Sequence, residues 1–216
     1  MQKRTLIASA LAAAGLVVFG PAQALTIMNG GTVSLGTVTG SPTAAVSVTK
    51  QGITGLGVSD ELNQGESLVF DWAGGFVISK FELGVFYNGP EFGDVLETAQ
   101  VSFYDISDVL LGSETLTSTL SDTVAAWSGP GTVTNLSPAV QPGGSGSWRV
   151  SNPFGNTAIG SLKFEAMAGA CGTGACNNQS DYLVTNITAV PEPETYALML
   201  AGLAAVGFVA RRRRPD

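Results

Sequence analysis

The sequence predicts an all-β protein, an antiparallel β-sandwich of jelly-roll-like type, flanked by an N-terminal signal helix and a C-terminal transmembrane helix. Glycine, serine, threonine and valine dominate the middle of the chain, where short segments alternate apolar and polar residues. Turn residues separate these segments, and none has the spacing of an amphipathic helix. The rival architecture, a parallel β-solenoid, requires a repeat of fixed length that this sequence lacks.

The N-terminus has the three parts of a secretory signal peptide. Lys3 and Arg4 precede an apolar run over residues 6–19, and the small residues that signal peptidase requires are Ala22 and Ala24. We therefore expect cleavage directly after Ala24 and export of the remaining chain.

Alternation at every second position predicts strands in the middle of the chain. The eight predicted strands are Ala45–Thr49, Ser67–Trp72, Phe76–Phe86, Thr98–Tyr104, Val109–Leu116, Gly146–Val150, Ile159–Glu165 and Tyr182–Thr188. Between two of them, the residues from Tyr104 to Val109 predict a hairpin corner with acidic residues at its tip. Alternating strands of this kind bury one face and expose the other.

The C-terminus predicts a membrane anchor. Tyr196–Ala210 forms an apolar run of 15 residues, which as a helix is about 22 Å long against a hydrocarbon core of about 30 Å. A cluster of guanidinium groups follows and resists crossing the membrane, so these residues are expected to stop in the cytoplasm. The cluster consists of Arg211, Arg212, Arg213 and Arg214. A permanent anchor and a basic tail that binds nucleic acid are the alternatives, and the second is disfavoured because no other basic surface accompanies it.

A short motif precedes this apolar run, and together they resemble a known family. The motif consists of Val190, Pro191, Glu192 and Pro193. Motif, short apolar helix and terminal arginines in this order resemble the PEP-CTERM sorting signal of Gram-negative bacteria, also catalogued as the ice-binding protein C-terminal domain. The resemblance implies recognition by an exosortase, a membrane-embedded cysteine protease or transpeptidase that cleaves near the motif. It also implies delivery to the cell surface or the exopolysaccharide matrix.

The ends divide the chain into a signal peptide at residues 1–24, a β-sandwich domain at 25–189 and a sorting segment at 190–216. The β-sandwich domain has four basic and fourteen acidic residues, a net charge of −10. Such a domain is repelled by nucleic acid. Histidine is absent from the sequence, which removes the commonest general base and zinc ligand.

The motif content predicts that the protein is not an enzyme. There is no Gly-x-Ser-x-Gly nucleophile elbow and no phosphate-binding glycine loop that ends in Lys-Ser or Lys-Thr. A surface hydrolase stays open as an alternative, because it needs only two carboxylates that converge in a cleft.

Two cysteines, Cys171 and Cys176, lie in a glycine-rich stretch of the exported domain. Thiols are oxidised outside the cytoplasm, so a local disulfide is predicted. Closing so short a loop contributes about 2 kcal/mol or less, and its role is to shape the loop.

A carbohydrate-binding module with a structural calcium is the first functional alternative, ahead of the hydrolase. Calcium prefers carboxylate and carbonyl oxygens on loops, and the candidate ligands are Asp60, Glu61 and Glu66. Sugars stack on aromatic rings, and Trp127 in a predicted loop is the best candidate for this contact, whereas Trp72 and Trp148 are expected in the core.

The sequence thus predicts an exported protein that is held transiently in the inner membrane and then released to the cell surface or extracellular matrix. Its expected partners are signal peptidase, an exosortase, the membrane and exopolysaccharide. The expected role of the β-sandwich domain is structural or adhesive.

Overall fold

The computed structural model describes residues 24–87, 94–119, 124–137, 146–171, 180–191 and 201–208. Fourteen strands and one helix, at 201–208, lie within these ranges. The strands are β1 Leu25–Asn29, β2 Thr32–Val33, β3 Thr37–Ser41, β4 Ala45–Lys50, β5 Ile53–Val58, β6 Leu62–Asn63, β7 Ser67–Gly84, β8 Asp94–Tyr104, β9 Leu110–Ser118, β10 Ala125–Trp127, β11 Thr132–Asn135, β12 Ser147–Ser151, β13 Ala158–Cys171 and β14 Asp181–Pro191.

The pairings between the fourteen named strands are antiparallel, and the strands form two layers that share β7. The first half of β7 lies between β3 and β13, and this layer continues through β8 and β9 to β10. The second half of β7 lies between β12 and β14, and this layer continues through β1 to β2. Because β14 also pairs with β5, the β4–β5 hairpin belongs to the second layer.

The bend in β7 lies between Asp71 and Phe76, where the strand passes from one layer to the other. Asp71 pairs with Ser161 and Phe76 pairs with Ile159. The four residues 72–75 of β7 therefore lie opposite the single residue Gly160 of β13 and form a long bulge. Gly74 within it has φ +110°, a conformation that side chains rarely allow. The sequence break at Ala-Gly-Gly thus bends the strand without ending it.

The core lies between the two layers and is built largely from aromatic rings. Phe81 in the second half of β7 contacts Phe164 in β13, with ring centroids 5.5 Å apart, and Trp127 in β10 at 5.3 Å. Phe164 also contacts Phe70 edge to face. Phe70, Phe81 and Phe164 are fully buried, so residues of both layers close one hydrophobic core.

A second bulge explains the burial pattern along β7. Lys80 pairs with Thr188 and Ile78 with Ala189, which leaves Ser79 as an extra residue. Its hydroxyl donates a hydrogen bond to the Thr188 carbonyl at 2.9 Å. The extra residue shifts the alternation, so Ile78 and Phe81 are both buried.

The all-β antiparallel prediction is confirmed, and each of the eight predicted segments lies largely within a strand. The two strands predicted at 67–72 and 76–86 are a correction: they are halves of the single strand β7, because the glycine pair allows a bulge instead of a chain break. The predicted hairpin corner is confirmed between β8 and β9. The predicted signal helix at 1–24 lies outside the described residues except for Ala24.

Candidate functional site

The sorting motif begins inside the folded sheet. Val190 and Pro191 are the last residues of β14 and pair with Val77 and Phe76 of β7. Pro191 has no backbone N–H, so it suits the end of a ladder. The predicted domain boundary before Val190 therefore falls within a strand, and Glu192 and Pro193 follow outside the described residues.

The predicted mature N-terminus lies beside this exit. Leu25, the first residue of β1, pairs with Ala189 of β14, and β1 runs antiparallel to β14 from there. Paired Cα atoms of such a ladder are about 5 Å apart. Ala24, the predicted signal peptidase residue, is exposed immediately before β1, and Ala22 lies outside the described residues.

Both polypeptide ends of the antiparallel β domain thus leave at one place. We call the end of the fold where Leu25, Phe76, Ala189 and Pro191 lie the exit end. The bend of β7 forms part of it, because Phe76 is the residue that pairs with Pro191. A signal peptide before Leu25 and a sorting tail after Pro191 would therefore both extend from the same side of the domain.

The tail beyond the exit end is partly described. Residues 201–208 are helical and exposed, with Leu203, Val206 and Phe208 each more than three-fifths accessible. In the described part of the chain, no helix has the length and apolarity needed to cross a membrane. The predicted arginine stop at 211–214 lies outside the described residues.

Two of the three predicted calcium ligands bind a lysine instead. Lys50 of β4 forms an ion pair with Asp60 at 2.8 Å and a second one with Glu61. The Glu66 carboxylate turns elsewhere and accepts a hydrogen bond from the Asn63 backbone N–H at 2.8 Å. Among the described residues, no three acidic or cysteine side chains are placed to hold a metal ion. The three carboxylates therefore do not converge.

The pKa values of Lys50 and Glu61 are both raised, for different reasons. Burial raises the pKa of Glu61, and the hydrogen bond from Lys50 only partly opposes this effect. Burial lowers the pKa of Lys50, but its hydrogen bonds to Asp60 and Glu61 outweigh burial and leave the pKa above its ordinary value. The glutamate is the more buried partner, so desolvation decides its shift, whereas the lysine gains from two carboxylates.

The aromatic residue predicted to contact sugars packs against the core. Trp127 lies at the end of β10 and not in a loop, which corrects the prediction. Its ring contacts Phe81 and Phe154, and its Nε1 donates a hydrogen bond to the Pro153 carbonyl at 3.1 Å. Pairing of Ala126 with Thr117 makes this segment a strand, a long-range contact that local sequence does not reveal.

The other two tryptophans lie in the core, as predicted. Trp72 and Trp148 are 4% and 1% exposed, and each donates its indole N–H to a buried carbonyl, that of Ile159 and that of Phe86 respectively. Cys171 ends β13, whereas its side chain and Cys176 lie outside the described residues. The disulfide between them stays a prediction.

The sequence missed the pairing of Leu25 with Ala189, which creates the exit end. Both Ile27 and Met28 of β1 are buried, because a register shift between Thr26 and Met28 interrupts the alternation that signals a strand. An apolar cluster directly after a signal peptide site was the available sign.

The model of the PEP-CTERM protein-sorting motif matches residues 189–214. No curated protein and no solved structure matches the chain. The chain thus combines an antiparallel β domain with a protein-sorting signal that begins in its last strand. It carries the PEP-CTERM protein-sorting motif, which marks it as an exported protein targeted to an exosortase.

Proposed function

We propose that the protein is an exported structural or adhesive component of the cell surface or extracellular matrix. In this proposal its signal peptide and sorting tail hold it transiently in the inner membrane, and exosortase then removes the tail near the sorting motif. The jelly-roll-like β-sandwich domain is the cargo that remains, and exopolysaccharide is its proposed environment.

The observation that carries the proposal is that the first and last residues of the β domain, Leu25 and Pro191, both lie at the exit end. Leu25 and Ala189 are paired, and Pro191 lies two residues further along the same strand. A domain whose ends leave on one side can be held by two membrane segments that insert from the same face. The basic residues outside both apolar segments, Lys3 and Arg4 at one end and the 211–214 cluster at the other, agree with this topology.

Chain length supports the same geometry. Nine residues, 192–200, separate Pro191 from the helix at 201–208, and the ten Cα-to-Cα steps across them span at most about 35 Å. The exit end is therefore held close to the membrane. Because β14 ends at Pro191, a cut beyond this residue leaves every pairing of the strand in place.

The proposed role of the β-sandwich domain is non-catalytic. The absence of histidine from the sequence, the acidic charge and the missing nucleophile motifs support this role. A carbohydrate-binding module receives less support, because Trp127 packs against Phe81 and Phe154 and two of the candidate calcium ligands are paired with Lys50.

The experiment that tests the proposal is intact-mass analysis of the protein from its native host. We expect a mature species that starts at Leu25 and ends close to Glu192. The variant Glu192→Ala should retain the complete tail, because it changes the sorting motif. Glu194→Ala is the matched control, since it removes the same charge two residues further along, outside the Val190–Pro193 sequence, and should be processed normally.

An unchanged C-terminus in the wild-type protein would reduce the tail to a permanent anchor. Retention of the tail in both variants would mean that local charge, and not the motif, controls the cut. Either result contradicts the proposed processing.

A further inference from the structure

Exposed apolar side chains of the β-sandwich domain are concentrated at its exit end. The tip of the β8–β9 hairpin carries Ile106, Val109 and Leu110, whose exposed fractions are 71%, 56% and 55%. Among the described residues of the domain, the other large exposed apolar side chains are Leu25, Leu111, Val124 and Met167. Five of these seven lie at the exit end or on the hairpin that reaches it.

The register of the sheet places the hairpin tip beside the exit of the tail. Tyr104, the last residue of β8, pairs with Ser161, next to the bend of β7 where Phe76 pairs with Pro191. A Cβ atom on Gly160 would lie 2.7 Å from the Ile106 Cα, so the tip backbone rests directly on β13. Three strand spacings separate the tip from Pro191, about 14 Å along the sheet.

Internal hydrogen bonds hold the tip in this conformation. The Asp105 carboxylate accepts hydrogen bonds from the backbone N–H groups of Ser107 and Val109 at 2.8 and 2.9 Å. The Asp105 N–H donates to the Val109 carbonyl at 3.0 Å. With these polar backbone groups paired inside the turn, a contacting surface meets side chains: the apolar ones of Ile106, Val109 and Leu110, and the polar ones of Ser107 and Asp108.

We propose that the β8–β9 hairpin tip is a second membrane contact, which rests in the interfacial region of the bilayer while the tail is inserted. This inference rests on the proposed tethering of the tail. The tail limits the distance of the exit end from the bilayer to the reach of nine residues, so the tip meets lipid at a high effective concentration. Three apolar side chains then suffice for a contact that would be weak for an untethered domain.

The charge of the tip predicts its lipid preference. The tip carries Asp105 and Asp108 and no basic residue. Lys163, two residues from Ser161, forms an ion pair with Glu165 at 2.7 Å. The other described basic residues of the domain lie on strands of the second layer: Lys50, Lys80 and Arg149. An apolar contact without basic residues gains nothing from anionic headgroups and is repelled by them. The tip should therefore contact zwitterionic lipid better than anionic lipid.

The test uses the full chain in vesicles of phosphatidylcholine with brominated acyl chains, which quench nearby tryptophan fluorescence. Val109→Trp places the probe at the tip, and Val124→Trp is the matched control on a similarly exposed valine. Val124 precedes β10 at the far end of β9, about 27 Å from the tip. The three natural tryptophans give both variants the same background.

We expect the chain to float with the vesicles and the Val109→Trp variant to be quenched about twofold or more above the control. Exchange of half the lipid for phosphatidylglycerol should reduce this difference. Ile106→Trp repeats the measurement at the most exposed tip position, in case the first variant does not fold.

Two negative outcomes are distinguishable. A chain that floats with the vesicles but shows equal quenching in the tip and control variants overturns the second contact and leaves the tether intact. A chain that does not float overturns the tether, and the second contact with it. Quenching that increases with phosphatidylglycerol would contradict the apolar basis of the contact.

Discussion

Leu25 pairs with Ala189, so the first strand of the antiparallel β domain begins next to the end of its last strand. Ala189 is fully buried, and Pro191 follows two residues later with its own partner on β7. The first and last strands of the exported domain, β1 and β14, are therefore neighbours in the sheet. The sorting signal begins in the last residues of β14, a strand that pairs with β1 on one side and with β7 on the other.

The indole of Trp72 stabilises the bulge of β7, and its removal should destabilise the domain. Its Nε1 donates to the Ile159 carbonyl at 2.8 Å in a buried position. Trp72→Phe leaves that carbonyl without its donor, which costs about 1–3 kcal/mol of unfolding free energy. Urea denaturation should show a lower midpoint with an unchanged slope.

Trp127→Phe is the control for this prediction. Its Nε1 also donates to a backbone carbonyl, that of Pro153, but the side chain is only half-buried and water can replace the lost donor. An equal loss of stability in the two variants would show that ring volume, and not the buried hydrogen bond, determines the effect.

Glu82 should make the domain sensitive to acid. Burial raises the pKa of Glu82, but hydrogen bonds from Lys80 and Arg149 and their charges outweigh burial and hold the pKa below its ordinary value of 4.5. The folded pKa is thus lower than the unfolded one. The stability that Glu82 contributes is present above about pH 4.5 and is lost as pH falls through the folded pKa.

The measurement is the unfolding free energy of Glu82→Gln and of the wild-type protein at several pH values. At neutral pH the variant should lose about 1 kcal/mol, because solvent screens the partly exposed cations, and the difference should shrink in acid. Glu165→Gln is the control: its ion pair with Lys163 is more exposed and should contribute less. A difference that grows in acid would contradict the assigned direction.

The sequence predicted those parts of the fold that local alternation encodes. The halves of β7 and the corner between β8 and β9 were recognised because apolar residues recur at every second position and turn residues separate them. By contrast, β5 was missed. Its last four residues, from Gly55 to Val58, are all buried, and the segment shows no alternation of apolar and polar residues.

The surroundings of the candidate calcium and sugar residues depend on partners that are distant in sequence. Nothing near Asp60 and Glu61 in sequence indicates that Lys50 will pair with both of them across the β4–β5 hairpin. Trp127 likewise lies in a strand, because its neighbour Ala126 pairs with Thr117. The sorting motif was recognised because its parts follow one another in the chain and need no folded context.

Gly160 should be intolerant of a side chain, because the hairpin tip lies against it. A Cβ atom there would be 2.6 Å from the Asp105 carbonyl oxygen, which is backbone and cannot rotate away. Gly160→Ala should therefore displace the tip and cost about 1–3 kcal/mol. The check is the urea midpoint of the domain, together with deuterium uptake of the amides of residues 105–110, which should rise.

Gly202→Ala is the matched control for that variant. A Cβ atom on Gly202 would have no described atom within 4 Å, and the residue belongs to the exposed helix at 201–208. Alanine is the better helix former, so this change should leave the unfolding of the β domain unaffected. A normal urea midpoint for Gly160→Ala would mean that the tip moves freely away from β13.

The last strand should be indispensable up to its final residues, which limits where processing can occur. Ile187 and Ala189 are fully buried, and residues from Leu183 to Pro191 pair with β7. Truncation after Thr185 removes both buried side chains and most of this ladder. Burial of a side chain as large as that of Ile187 contributes about 1.5–3 kcal/mol, and total stabilities are only about 5–15 kcal/mol.

The test compares two shortened chains that both start at Leu25. The chain that stops after Pro191 should unfold cooperatively in urea with the midpoint of the uncut domain, whereas the chain that stops after Thr185 should not fold. Cooperative unfolding of the shorter chain at the same midpoint would mean that β14 is dispensable and that a cut within it is compatible with the folded cargo.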